Sequence, residues 1–356
     1  MKKNGFMRAL IDNLGTNWNN NFENNFDFWR FGSPEREIVD GGSTLLKINK
    51  YQEELDWFYS LLEDEYSRFI FVQVLSFRIL GHRKIKLPLS TPEYFNAIKT
   101  LTTLIDTNNY ICATFPEFKN IKLFFFDLNA FGVPVKLFST PAGIIKQFFI
   151  KNYEYRIDTK RSIGAKKGNV VIDGGSCWGD TALFFATEVG NLGQVYAFEF
   201  VPSNLDIMRK NLSLNPELAK RIRVVPNPLW STSGVDLFFK DRGLGSVVEN
   251  QPFADMQGSF ASVSVDHFVD ENKIDRVDFI KMDIEGSEQK AIKGAINTLK
   301  KYKPQLAISI YHNFPEDFAR IAIMLNELQL GYRFFINHFS IHHEETVLFA
   351  TCEDRL

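Results

Sequence analysis

The sequence predicts an α/β protein: a mostly parallel sheet covered by helices, with an antiparallel hairpin at its C-terminal end and an α-rich region before it. Three observations carry that expectation. From Val170 onward, apolar strand-like runs alternate with helical patterns; a glycine-rich loop separates the first of these strands from its helix; and a polar turn joins the last two strand-like runs.

The α-rich region comes first in the chain. Residues 13 to 25 are dominated by asparagine, with Trp18 and Phe22 interleaved, and because asparagine competes with helix by bonding its own backbone, a loop is expected. Between Glu53 and Leu80, Leu55, Phe58, Leu61, Leu62, Phe69, Val72 and Leu80 recur at helical spacing and Gly81 follows as a stop, giving one or two helices. Thr91-Pro92-Glu93 supplies a cap, a proline at the first helical position and an acidic first turn for a helix through Ile105. Ile121 to Phe126 and Val133 to Phe138, separated by Asn129 to Gly132, read as a β-hairpin.

At Ser162 to Asn169 a polar, glycine-containing approach leads into a buried strand, so the expected division is residues 1–160 and 161–356. Beyond it, Val170 to Asp173 precedes a helix over Thr181 to Val189. Gln194 to Glu199 precedes Ser203 to Leu214, and Phe279 to Asp283 precedes Glu288 to Leu299. Strands over Gln305 to Tyr311, Tyr332 to Phe339 and Thr346 to Ala350 complete the sheet.

Composition narrows the functional classes. The 356 residues are 45% hydrophobic and 24% charged, the usage of a globular, soluble protein. A formal net charge of −2 provides no field for phosphate backbones, so nucleic acid is not an expected partner. Cys112, Cys177 and Cys352 are few, distant and odd in number, which supports neither a disulfide framework nor a zinc site and points to a reducing cytoplasm. Met1-Lys2-Lys3 is basic, but the apolar stretch after it is short and broken by Arg8 and Asp12, so no secretory leader is expected. The most apolar window, Phe69 to Leu80, carries Gln73 and Arg78 and falls short of the roughly 18 apolar residues of a membrane span.

The chemistry is concentrated at the predicted strand ends. The first strand runs into Asp173-Gly174-Gly175-Ser176-Cys177-Trp178-Gly179-Asp180-Thr181, the place where open α/β sheets bind ligands. Its pattern is D-x-G-x-x-x-G, with Ser176 where a dinucleotide fingerprint needs its second glycine, so NAD is disfavoured. A carboxylate leading the loop suits an ammonium group without phosphates, as in the methionine half of S-adenosylmethionine. The second strand ends at Glu199, about 20 residues after Gly179, where a carboxylate can accept hydrogen bonds from ribose hydroxyls. Asn227, after the third strand, is expected to border an adenine pocket.

Beside these stands Phe279-Ile280-Lys281-Met282-Asp283-Ile284-Glu285-Gly286-Ser287-Glu288, then Lys293-Gly294-Ala295. With the D-x-G-x-x-x-G-D loop and the strand from Pro304 to His312, this K-x-D-x-E-G-x-E segment resembles the FkbM family of methyltransferases over roughly Val170 to Ala350. The resemblance implies a Rossmann-like class I methyltransferase sheet, S-adenosylmethionine as methyl donor and O-methylation of a hydroxyl, often on a sugar or specialised metabolite. The region before Ser162 lies outside the shared core and is expected to select substrate or to form homo-oligomers.

Methyl transfer is an in-line displacement, so alignment and removal of the hydroxyl proton are the main tasks. Asp283 and His312 end neighbouring strands. His312 is the expected general base, polarised by Asp283 or Glu285, with a structural histidine as the alternative. Asp283 also counts among the donor-binding residues. A metal version remains open, in which Asp283, His312 and Asn313 hold Mg²⁺ against the substrate oxygens. His338, His342 and His343, around a turn with Glu344 and Glu345, are read as surface residues. The expected function is a cytoplasmic O-methyltransferase acting on a hydroxyl of a sugar, glycan or glycosylated metabolite. Methylation of protein or nucleic acid, and a non-catalytic adenosyl-ligand-binding module, are the alternatives.

Overall fold

A computed structural model describes residues 5–23, 25–28, 32, 40–113, 120–240 and 246–352. The basic start Met1-Lys2-Lys3 and Asn24 of the asparagine tract lie outside the described residues. In chain order the strands are β1 (Tyr110–Ala113), β2 (Ile121–Asp127), β3 (Lys136–Ser139), β4 (Tyr155–Arg156), β5 (Ser162–Ile163), β6 (Val170–Gly174), β7 (Gln194–Phe198) and β8 (Ile222–Val225). They continue with β9 (Asp236–Lys240), β10 (Val247–Glu249), β11 (Gly258–Ala261), β12 (Phe279–Met282), β13 (Gln305–Ser309), β14 (Arg333–His338) and β15 (Thr346–Thr351). The principal sheet has seven strands in the order β14-β15-β13-β12-β6-β7-β8. From β13 to β8 it is parallel, with Asp173 opposite Lys281 on one side and Ala197 on the other, whereas β14 and β15 pair antiparallel.

Contacts divide the chain into two units, Met1–Asn96 with Ser309–Asp354, and Ala97–Ile308, the last two residues aside. Within the second unit, Asn211 of the helix Pro202–Ser213 and Asn215, two residues past its end, bond the backbone of β3. Asn211 accepts from Phe138 N–H at 2.7 Å and donates to Phe138 O at 3.1 Å, while Asn215 accepts from Lys136 N–H at 2.9 Å and donates to Lys136 O at 2.5 Å. Two amides four residues apart in sequence thus satisfy the backbone groups of two residues on one edge of β3. The hairpin read from the sequence is present as β2 and β3, and β1 adds a third strand to it. Its apolar face, Ala113, Leu123 and Phe138, packs on Trp178 and Ile207.

In the unit containing the N-terminal helices, Phe71 is the hub, with ring centroids 5.2 Å from Phe6, 5.3 Å from Phe58 and 5.7 Å from Phe318. The amphipathic stretch from Glu53 to Leu80 lies in two helices, Gln52–Leu61 and Glu65–Leu80, the second capped by Asp64 accepting from Ser67 N–H at 2.7 Å. The asparagine tract departs from expectation, because the helix Gly5–Asn17 runs into it. Asn17 donates to Asn13 O at 2.9 Å, and Asn13 donates to Gln73 Oε1 at 3.0 Å. The asparagine amides thus bond along the helix and across to a neighbour, and tertiary anchoring overrides the weak intrinsic preference. The small sheet β10-β9-β11 has no clear signal in the sequence, because strands of three to five residues leave too little alternation to read.

Candidate functional site

At the end of β6, Asp173 is fully buried and its carboxylate is enclosed. Oδ2 accepts from Ser176 Oγ at 2.8 Å and Thr181 Oγ1 at 2.6 Å, and Oδ1 lies 3.2 Å from Lys281 Nζ. Lys281, in the middle of β12, is equally buried and donates to Gly174 O at 3.0 Å and Gly175 O at 2.7 Å. Burial alone would lower the pKa of its ammonium, but Asp173 and Asp283 overcome this and raise it. Asp173 therefore stands behind the glycine loop and shapes it. The carboxylate that the sequence places beside a ligand ammonium is also held by an ion pair with Lys281.

Two glycines are required by the path of that loop. Gly175 has φ 80°, and a Cβ there would sit 1.9 Å from Asp283 O. Gly179, φ 81°, leads into the helix Asp180–Val189 and passes close to Met208. Gly175 and Ser176 both donate their N–H groups to Phe198 O, at 3.0 and 2.9 Å, which stitches the loop to the end of β7. Burial pushes the Asp180 carboxyl and the Cys177 thiol up.

Glu199 follows β7 and is 6% exposed. Oε1 accepts from the N–H groups of Phe200 and Val201 at 2.7 and 2.8 Å, and Oε2 accepts from Asn204 Nδ2 at 3.3 Å. Among the described residues it forms no ion pair, and burial pushes its carboxyl up to about 7. Asn227, beyond β8, is half-buried and donates from Nδ2 to Ala261 O at 3.0 Å.

After β12 the chain reverses through Glu285 at φ 55° and Gly286 at φ 93°. Glu285 and Cys177 are non-glycine residues in the left-handed region, each in a loop at a strand's carboxyl end, a placement common where backbone geometry serves a site. Asp283 accepts from Tyr153 Oη at 2.8 Å, and Lys281 Nζ lies 5.1 Å from the Tyr153 ring centroid. Glu288 is buried and accepts from Ile284 N–H at 2.8 Å, the role of a helix N-terminal carboxylate.

In the other unit, His312 follows β13 by three residues, is half-buried and stacks on Tyr311 with ring centroids 4.1 Å apart. Asn313 is exposed, and its N–H donates to Asp317 Oδ2 at 3.1 Å. Arg78 donates to Tyr311 O at 3.4 Å and to His343 O at 2.7 Å, tying the His312 loop to a helix. The histidine turn needs correction. His338 and His342 are 1% and 7% exposed, not surface residues. His338 Nδ1 is 2.8 Å from Thr346 Oγ1 and Nε2 is 2.8 Å from His342 O, and burial lowers its pKa to about 3, so it serves as a neutral structural strut.

Sequence reading missed Lys281, Tyr153 and Asn204 as site residues. A lysine inside the apolar run Phe279 to Met282 did carry a signal, since a buried ammonium demands a buried counter-charge. A cavity of about 590 Å³ lies elsewhere, between Asp266 to Asp275 and Asn297 to Tyr302, on the side from which the chain enters β12. Asp173, Lys281 and Glu199, all buried, lie at or near the carboxyl ends of their strands, where open parallel sheets bind ligands.

Residues 162–334 match the protein family described as Methyltransferase FkbM domain. No curated protein matches the sequence. Among solved structures, the chain is similar to a methyltransferase FkbM from Methylobacillus flagellatus, with TM-score 0.52 and 18% identity over 85% of this chain and 59% of that one. It thus spans less than two thirds of that relative. Fainter likenesses reach a fibrillarin from Aeropyrum pernix with bound S-adenosyl-L-methionine (TM-score 0.35, 13% identity, 59% of this chain and 73% of that one). They also reach a precorrin-6y C5,15-methyltransferase from Geobacter metallireducens (0.34, 16%, 54% and 83%).

Proposed function

With residues 162–334 belonging to the FkbM family of methyltransferases and folded on a class I methyltransferase sheet, we propose that the protein is an S-adenosylmethionine-dependent O-methyltransferase. Its acceptor is proposed to be a hydroxyl of a sugar, glycan or glycosylated metabolite. The observation that carries the reading is Glu199: a buried strand-end carboxylate with no ion pair among the described residues, beside a glycine loop. A buried acceptor of this kind is suited to neutral hydroxyl donors such as those of a ribose, and a pyrophosphate beside it would be repelled.

When bound, the donor supplies a methyl group already activated on a sulfonium. Gly174, Gly175 and Ser176 shape its cradle, with Asp173, Lys281 and Thr181 holding the loop from behind, and Gly179 and Asp180 opening the next helix. Asn227 borders the adenine. On the acceptor side His312 is proposed as the base that takes the hydroxyl proton, with Asp283 or Glu285 polarising it. In a metal-assisted form of this step Asp283, His312 and Asn313 would hold Mg²⁺, which would lower the pKa of the acceptor hydroxyl. Residues 1–160 are proposed to contribute acceptor selection or homo-oligomer contacts.

Isothermal titration with S-adenosylhomocysteine, joined to a donor-consumption assay against nucleotide sugars and polysaccharide fragments, tests the reading. Binding with turnover on a hydroxyl acceptor is expected; binding without turnover on any acceptor, protein and RNA included, leaves an adenosyl-ligand-binding module. Full activity after metal stripping with EDTA would eliminate the Mg²⁺ form. His312→Ala should lower turnover while leaving donor affinity nearly intact, and unchanged turnover would remove His312 as the base.

A further inference from the structure

Three buried polar side chains link Glu199 to a part of the chain outside the family match. Asn204 donates from Nδ2 to Glu199 Oε2 at 3.3 Å, and its Oδ1 accepts from Trp178 Nε1 at 3.1 Å. The Trp178 carbonyl in turn accepts from Asn211 Nδ2 at 2.9 Å, and the same amide bonds both backbone groups of Phe138 in β3. All are closed off from solvent: Trp178 is 4% exposed, Asn204 3% and Asn211 0%. The indole ring also packs with Ala113, Leu123 and Phe138 of the three-stranded sheet.

The chemistry of the relay is directional. Indole N–H is a donor only, so the bond from Trp178 fixes which end of the Asn204 amide is oxygen and therefore turns the NH₂ toward Glu199. Without that bond the amide is free to turn its oxygen toward the protonated carboxyl, which can donate to it, so the ionised form loses its advantage. From this geometry we infer that Trp178, Asn204 and Asn211 are positioning residues that orient the Glu199 carboxylate. The sheet β1 to β3 is the fixed point from which they do so. The strands β1 to β3, outside the matched residues 162–334, are then part of the donor site's support and not only of acceptor selection. The consequence for donor affinity rests on the proposed role of Glu199; the orientation of the carboxylate does not.

The test uses the full chain and two measurements. Carboxyl ¹³C NMR, assigned with Glu199→Gln, follows the titration of Glu199, and calorimetry at pH 8 follows S-adenosylhomocysteine. Asn204→Ala removes a hydrogen bond that favours the ionised carboxylate, so the Glu199 midpoint should rise by about half a unit or more, and affinity should fall about tenfold. Trp178→Phe keeps the ring but deletes the N–H and should move both in the same direction by less, about threefold in affinity. Asn211→Ala, if its melting temperature shows it folded, should reproduce the Trp178→Phe shift. Glu199 midpoints unmoved in both Asn204→Ala and Trp178→Phe overturn the inference. Should the parent protein ignore S-adenosylhomocysteine, the donor reading of Glu199 fails, and the NMR midpoints still decide the relay.

Discussion

Asp173 and Glu199 occupy equivalent places, at or just beyond the carboxyl ends of neighbouring parallel strands, and both are buried, yet their electrostatic settings are opposite. Asp173 meets a buried ammonium at 3.2 Å and two hydroxyl donors. Glu199 meets backbone N–H groups and one amide, and burial drives its carboxyl up to about 7. A charge matched inside the fold is structural, and a carboxylate left short of compensation is poised for a ligand that donates hydrogen bonds. Sequence pattern alone reads both residues as donor-binding, and it does not announce that their partners in the fold differ.

The largest effect is expected from breaking the matched pair. Asp173→Ala leaves the Lys281 ammonium buried without its counter-charge and should cost about 3–5 kcal/mol of unfolding free energy in urea. A loss below about 1 kcal/mol, the range of exposed pairs, would show that water reaches Lys281. Lys281→Met placed on Asp173→Asn removes both charges together and should recover more than half of the loss.

Glu199→Gln should do the reverse to the ligand-free protein. A carboxyl raised from 4.5 to about 7 binds its proton more tightly folded than unfolded. The stability it allows is therefore fully present below pH 4.5 and is lost as pH rises toward 7. Glutamine carries no such penalty and still accepts from Phe200 and Val201, although its NH₂ then faces the Asn204 NH₂ and offsets part of the gain. At pH 8 the variant should be more stable than the parent by up to about 3 kcal/mol, with the difference vanishing near pH 4. Its affinity for S-adenosylhomocysteine should fall. Equal stability at both pH values would mean that Glu199 ionises as freely in the fold as in the unfolded chain.

The contrast also shows what the sequence can express. Strand runs, the glycine loop and the spacing to Glu199 are local patterns, and the parallel sheet they imply is present. Partners are non-local. Tyr153 lies 130 residues from the carboxylate it bonds, and Asn211 lies 73 residues from Phe138, so no pattern announces either contact. His338, read as part of a surface turn, has neighbours within eight residues, but its burial comes from packing that turn chemistry does not encode. The His312 loop carries the same ambiguity, since one histidine after a strand fits a base as well as a strut.

The smallest expected effect belongs to Tyr153, and it tests how the matched pair is neutralised. Its hydroxyl donates to Asp283 at 2.8 Å, while Asp283 is, after Asp173, the second carboxylate that raises Lys281. Tyr153→Phe deletes that donor without opening a cavity. If Asp173 alone neutralises Lys281, the loss should be the ordinary value for one hydrogen bond, about 1 kcal/mol, and should add to that of Asp173→Ala in the double variant. A double-variant loss well above the sum would instead mean that Lys281 shares its charge between both carboxylates, with the phenol holding the second one in range.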